Sequence, residues 1–118
     1  MSFDSDLRRF VKRTGIEMDV AVRTLVFDAH KMVTDKTPVD TGRASANWNV
    51  SVDHIDRSVD MNATQVQVPN LRKGDGLKTS YIVNSLPYIF ALEHGHSKRQ
   101  APHGMVAVTI NELRNYFK

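Results

Sequence analysis

Glu93, His94, His96 and His103 fall within one short stretch and have the side-chain types that ligate zinc. Gly95 separates His94 from His96, so the two imidazoles sit across a turn and not on one helix face. No partner pattern that would orient metal-bound histidines accompanies them. Asp28 and His30 have the composition of a general acid–base pair, yet residues two apart on a helix point to different sides. Asp40 with Thr41 or Ser45 and a histidine has the composition of a hydrolytic triad. It lacks the Gly-x-Ser-x-Gly elbow that exposes a nucleophile, and neither a P-loop nor a dinucleotide glycine pattern occurs. The absence of cysteine excludes disulfides, thiolate metal sites and thiol nucleophiles. The expectation is a non-enzyme without catalytic, cofactor or metal residues.

With 118 residues, 41% hydrophobic and 25% charged, the chain is expected to form one soluble domain, residues 1–118, around a modest core. Sixteen basic residues against thirteen acidic ones give a formal charge of +3, which favours an anionic neighbour only mildly. MSFDSDLRRF has no apolar leader core, and no run approaches the roughly 18 apolar residues of a membrane span. A chain neither secreted nor embedded in a membrane is therefore expected.

The elements that must position these residues follow from periodicity. Leu7, Phe10, Val11, Met18, Ala21, Val22, Leu25, Ala29 and Val33 recur at steps of three and four, predicting a long helix capped by Asp4 or Ser5 and stopped before Pro38. Gly15 is its weak point, so residues 4–13 form a separate helix if the chain hinges at Thr14-Gly15. Arg8, Arg9, Lys12 and Arg13 make a basic face, read first as solvated and second as a contact for phosphate. A loop at Thr37 to Arg43 leads into Ala44 to Val52, whose alternation predicts a half-buried strand with Ala46, Trp48, Val50 and Val52 inward. Trp48 reads as a core anchor. Residues 53–79 are expected to leave the sheet, with a short helix or strand within Asn62 to Lys73 interrupted by Pro69, and with basic residues Arg57, Arg72, Lys73 and Lys78. A second strand is expected at Thr79 to Asn84. Then comes a short helix with Ser85 as its cap, Pro87 in its first turn and Tyr88, Ile89, Ala91 and Leu92 on its apolar side. Gly95 ends it, and Met105 to Phe117 predicts a terminal helix of about three turns. The fold class is α+β: a long N-terminal helix packed on a small β-sheet, with a short helix and a C-terminal helix.

Several strings together resemble a known family. Thr37-Pro-Val-Asp-Thr-Gly-Arg43, Ala46-Asn-Trp48, Tyr81-Ile-Val-Asn84, Leu86-Pro-Tyr88, Leu92-Glu-His-Gly-His-Ser97, Gln100-Ala-Pro102 and Gly104-Met-Val106 occur in that order. The set resembles the tail-completion or neck proteins of long-tailed double-stranded-DNA bacteriophages, the group related to minor tail protein Z of phage lambda. Ser85 stands where the family usually has a second asparagine, Lys98-Arg99 make the following loop slightly basic, and residues 53–79 match least.

The resemblance implies a structural virion protein assembled in the host cytoplasm into a homo-oligomeric ring, expected to be hexameric, within the tail or neck. Implied partners are the head–tail connector or stopper, and the tail terminator or tail-tube proteins. Genomic DNA would cross the lumen without sequence specificity. Alternative expectations are a terminator capping the tail tube, a small non-specific nucleic-acid-binding module and a histidine-based metal hydrolase. A ring contact joins two different patches. One is expected around the turn from Glu93 to Gly104 and the other around the loop from Pro38 to Arg43. Candidate interface residues are Asp40, Thr41, Arg43, Pro87, Tyr88, Glu93, His94, His96, Ser97, Gln100 and Pro102.

Overall fold

Gly15 divides the expected long helix in two. In the computed structural model, which describes residues 2–38, 42–94 and 104–118, Gly15 has φ of 74° and its N–H donates to the Val11 carbonyl at 3.0 Å. A left-handed residue ends a helix, and glycine adopts it without a Cβ penalty. Helix α1 therefore spans Phe3–Thr14 and α2 spans Met18–Lys36. The cap of α1 is Ser2, whose Oγ accepts from the Ser5 N–H at 3.2 Å, and not Asp4 or Ser5. Thr37 is extended ahead of Pro38, so α2 stops where the proline demands.

The strand expected over Ala44 to Val52 is shorter and begins later. Arg43–Ala46 forms a single helical turn, α3, and β1 covers only Asn49–Val52. The expected faces also fail: Ser45, Asn47 and Ser51 are buried, whereas Val50 and Val52 are half-buried. Asn47 explains much of this. Its Nδ2 donates to the Arg43 and Asp60 carbonyls at 2.8 and 3.0 Å, and its Oδ1 accepts from the Asp60 N–H at 2.8 Å. A polar group so satisfied tolerates burial. Strand β2, Ser80–Val83, pairs antiparallel with β1, with Val50 opposite Ile82 and Ser51 opposite Tyr81.

Between the strands, residues 53–79 form neither the helix nor the strand expected within Asn62 to Lys73. Their regular structure is one 3-10 turn, Asp75–Leu77. The carboxylate of Asp19 on α2 holds that turn by accepting from the N–H groups of Gly74 and Gly76 at 2.8 and 2.7 Å. Those bonds, led by the one from Gly74, outweigh burial and hold the Asp19 carboxyl below the usual carboxylate range, with help from Arg23. Helix α4 spans Ile89–Glu93 and α5 spans Val106–Leu113, about two turns where about three were expected. Among the described residues this is an α+β fold of five helices and a two-stranded antiparallel sheet.

The core is in two parts strung along α2. Near its N-terminal half, Leu7, Ala21 and Phe117 are buried with Phe3, Phe10 and Leu25 packed around them. Near its C-terminal half, Val33, Trp48 and Met105 are buried beneath Ile82, Ile89 and Leu92. Trp48 is the anchor its sequence context indicated. Its indole N–H donates to the Thr37 hydroxyl at 2.8 Å, which in turn donates to the Val33 carbonyl at 2.6 Å. No helix of the described residues is long and apolar enough to cross a membrane.

Candidate assembly surface

The stretch after β2 turns because Asn84 directs it. Asn84 Oδ1 accepts from the Leu86 N–H at 3.1 Å, a side-chain-closed turn, and Leu86 is buried at 2% exposure. This task had been expected of Ser85; α4 has no side-chain cap. Asn84 Nδ2 also donates to the Ala44 carbonyl at 2.9 Å, tying the lead-in of α4 to α3.

On α4, Ile89 and Leu92 turn inward against Trp48 and Met105. Phe90, one position off that stripe, is 73% exposed, and its ring lies 4.2 Å from that of His94. Pro87 and Tyr88 are exposed beside it. A single apolar residue out of phase with the helix period was the available signal for Phe90, and the sequence expectation omitted it.

Glu93 does something not anticipated. Its Oε1 accepts from the N–H groups of Met105 and Val106, both at 2.8 Å, and its Oε2 accepts from that of Ala107 at 3.1 Å. These are the unpaired donors at the N-terminus of α5, where the helix dipole also favours a carboxylate. Glu93 thereby caps α5 from α4. Gly104, at φ of 88°, lets the two approach: a Cβ there would lie 2.5 Å from Glu93 Oε2.

Of the other candidate residues, Arg43 opens α3 and is half-buried. Asp40, Thr41, His96, Ser97, Gln100 and Pro102 lie outside the described residues, as does His103. Glu93 spends both oxygens on backbone donors, and among the described residues no three potential ligands gather around a metal-sized space. Asp28 and His30 diverge: the Tyr116 hydroxyl donates to Asp28, while His30 Nε2–H donates to the Trp48 carbonyl at 3.1 Å. Ser45 is buried at 7% exposure, a poor position for a nucleophile.

Beside these groups the surface is open and apolar. Ile82, Ile89, Phe90, Met105 and Val106 line a groove of about 300 Å³ between β2 and α4. A second hollow of about 170 Å³ continues over Trp48 and Ile82 toward Val33, Ile110 and Leu113. Ile110 and Val106 are 48% and 37% exposed. No protein-family model, no curated protein and no solved structure matched the chain in comparisons with each.

Proposed function

We propose that this chain is a ring-forming structural subunit of the neck of a long-tailed double-stranded-DNA bacteriophage, joining the tail to the head connector around the DNA channel. The observation that carries it is the ordered set of strings from Thr37-Pro-Val-Asp-Thr-Gly-Arg43 to Gly104-Met-Val106, which a chance match to any one string would not supply. The open apolar groove and the outward Phe90 support the reading, because a subunit that packs on neighbours needs uncovered surface of that type. The basic face of α1 supplies Arg8, Arg9, Lys12 and Arg13 for non-specific phosphate contact in the lumen. Some of these cations already have neighbours: Arg8 pairs with Asp4 at 3.0 Å, Arg9 lies 3.9 Å from Asp6, and Arg13 sits 5.8 Å from the Phe10 ring centre; such exposed pairs hold a cation only weakly.

The test is deletion of the gene followed by electron microscopy of the particles. Filled heads lying apart from finished tails are expected, and normal virions would overturn the proposal. Tails of irregular length would instead indicate a cap on the tail tube.

A further inference from the structure

Residues 64–71 and the outer edge of β2 both carry backbone groups without hydrogen-bond partners among the described residues. The Asp53 N–H donates to the Thr79 carbonyl at 2.8 Å. With the register of the sheet, this points the backbone groups of Tyr81 and Val83 toward β1 and those of Ser80 and Ile82 outward. No described residue bonds those outward groups. Residues 64–71 likewise make no hydrogen bond to another described residue, although the run Gln65-Val66-Gln67-Val68 has the alternation and β-branched content of a strand. Val66 and Val68 are 43% and 70% exposed, and Pro69 marks where pairing must end.

We infer that Gln65 to Val68 of one copy adds as a strand to the β2 edge of a second copy, and that this contact builds the ring; the inference rests on the ring-subunit reading above. Three features fit one occupant. The donor segment and β2 match in length, and each brings backbone groups that lack partners among the described residues. The groove between β2 and α4 is lined by Ile82, Ile89, Phe90 and Val106, and a strand added antiparallel beside β2, with Val66 opposite Ile82, brings its valines to that apolar surface. Finally, the donor lies on the wrong side to reach that edge within its own chain. It borders Asn49 and Val50 of β1 and passes over Phe27 and Thr34 of α2, with the sheet between it and the β2 edge. Donor and acceptor on opposite sides give a head-to-tail contact that repeats around a ring.

The chain has no cysteine, so introduced thiols report pairing cleanly. Val68→Cys and Ser80→Cys chains, whose positions face each other when the two segments pair antiparallel over their length with Val66 opposite Ile82, are mixed and oxidised; a disulfide-linked dimer in the mixture, absent from either chain alone, is expected. Val66→Pro, which removes a ladder N–H at an exposed position, is expected to weaken self-association by about tenfold or more while leaving the helical circular dichroism unchanged. No cross-link in the mixture, association indifferent to Val66→Pro, or no association of the unmodified chain overturns the pairing. So does concentration-independent amide protection of residues 65–68, which would place the strand on its own β1. The particle phenotype of the gene deletion is read separately, so loss of the strand pairing and loss of the neck assignment are distinct results.

Discussion

His30 is a buried histidine whose role is structural and whose cost is set by pH. It is 4% exposed, and its Nε2–H holds the Trp48 carbonyl across the gap between α2 and the sheet. Burial lowers its proton affinity below the ordinary 6.5, outweighing the carbonyl, which favours the charged form. The folded chain therefore keeps His30 neutral, while the unfolded chain takes up a proton as pH falls through 6.5. Its contribution to stability is complete above 6.5 and declines below it, down to the lowered folded value. Thermal melts are expected to show a midpoint falling as pH drops below 6.5, and His30→Gln, which retains a donor for Trp48, is expected to flatten that slope. A slope unchanged in the variant would assign it to another group. Asp19, with its carboxyl held below 3.8, adds its own loss only at more acid pH.

At the scale of elements, ends were harder to place than existence. Helix α5 stops at Leu113 because the chain must turn to bury Phe117 at 4% exposure against α1, where its ring lies 5.5 and 5.0 Å from those of Phe3 and Phe10. Periodicity alone continued the helix, since Tyr116 and Phe117 stand at suitable steps. The start of α5 depends on Glu93. Glu93→Ala leaves three helix-end donors without that acceptor and is expected to lower stability by about 1–2 kcal/mol in denaturant unfolding. Glu93→Gln, which keeps an acceptor oxygen but no charge, should lose less. Equal loss in both would assign the effect to charge alone. The same contact makes Glu93→Arg unsuitable for probing an interface, and Leu92→Asp fails likewise because Leu92 packs on the Trp48 cluster.

The molecule as a whole is elongated, with a radius of gyration of 15.1 Å against about 13.5 Å for a compact domain of this length. Its two core clusters share only α2, and the groove between β2 and α4 leaves the second one partly uncovered. An interface variant must therefore avoid both clusters. Phe90→Ser meets that condition, since the side chain is 73% exposed. It is expected to change the monomer's melting midpoint little and, on the proposed neck role, to abolish ring formation or attachment of the tail to the head, measured by analytical ultracentrifugation and microscopy. Normal assembly by the variant would remove the α4 surface from the interface.

What the sequence by itself determined is local. The stripe of α2, the stop before Pro38 and the second strand each follow from residues within a few positions of one another, where backbone sterics and side-chain period act directly, while the break at Gly15 was legible only as a weak point in one long helix. The tertiary structure alone decided which polar groups are spent. Asn47 is pinned to Asp60, 13 residues on, Glu93 caps a helix starting 13 residues on, and Tyr116 reaches Asp28 across 88 residues. Such partners have no period and no local propensity, so Asn47 looks solvent-facing and Glu93 looks like a free surface charge until the chain has closed on itself.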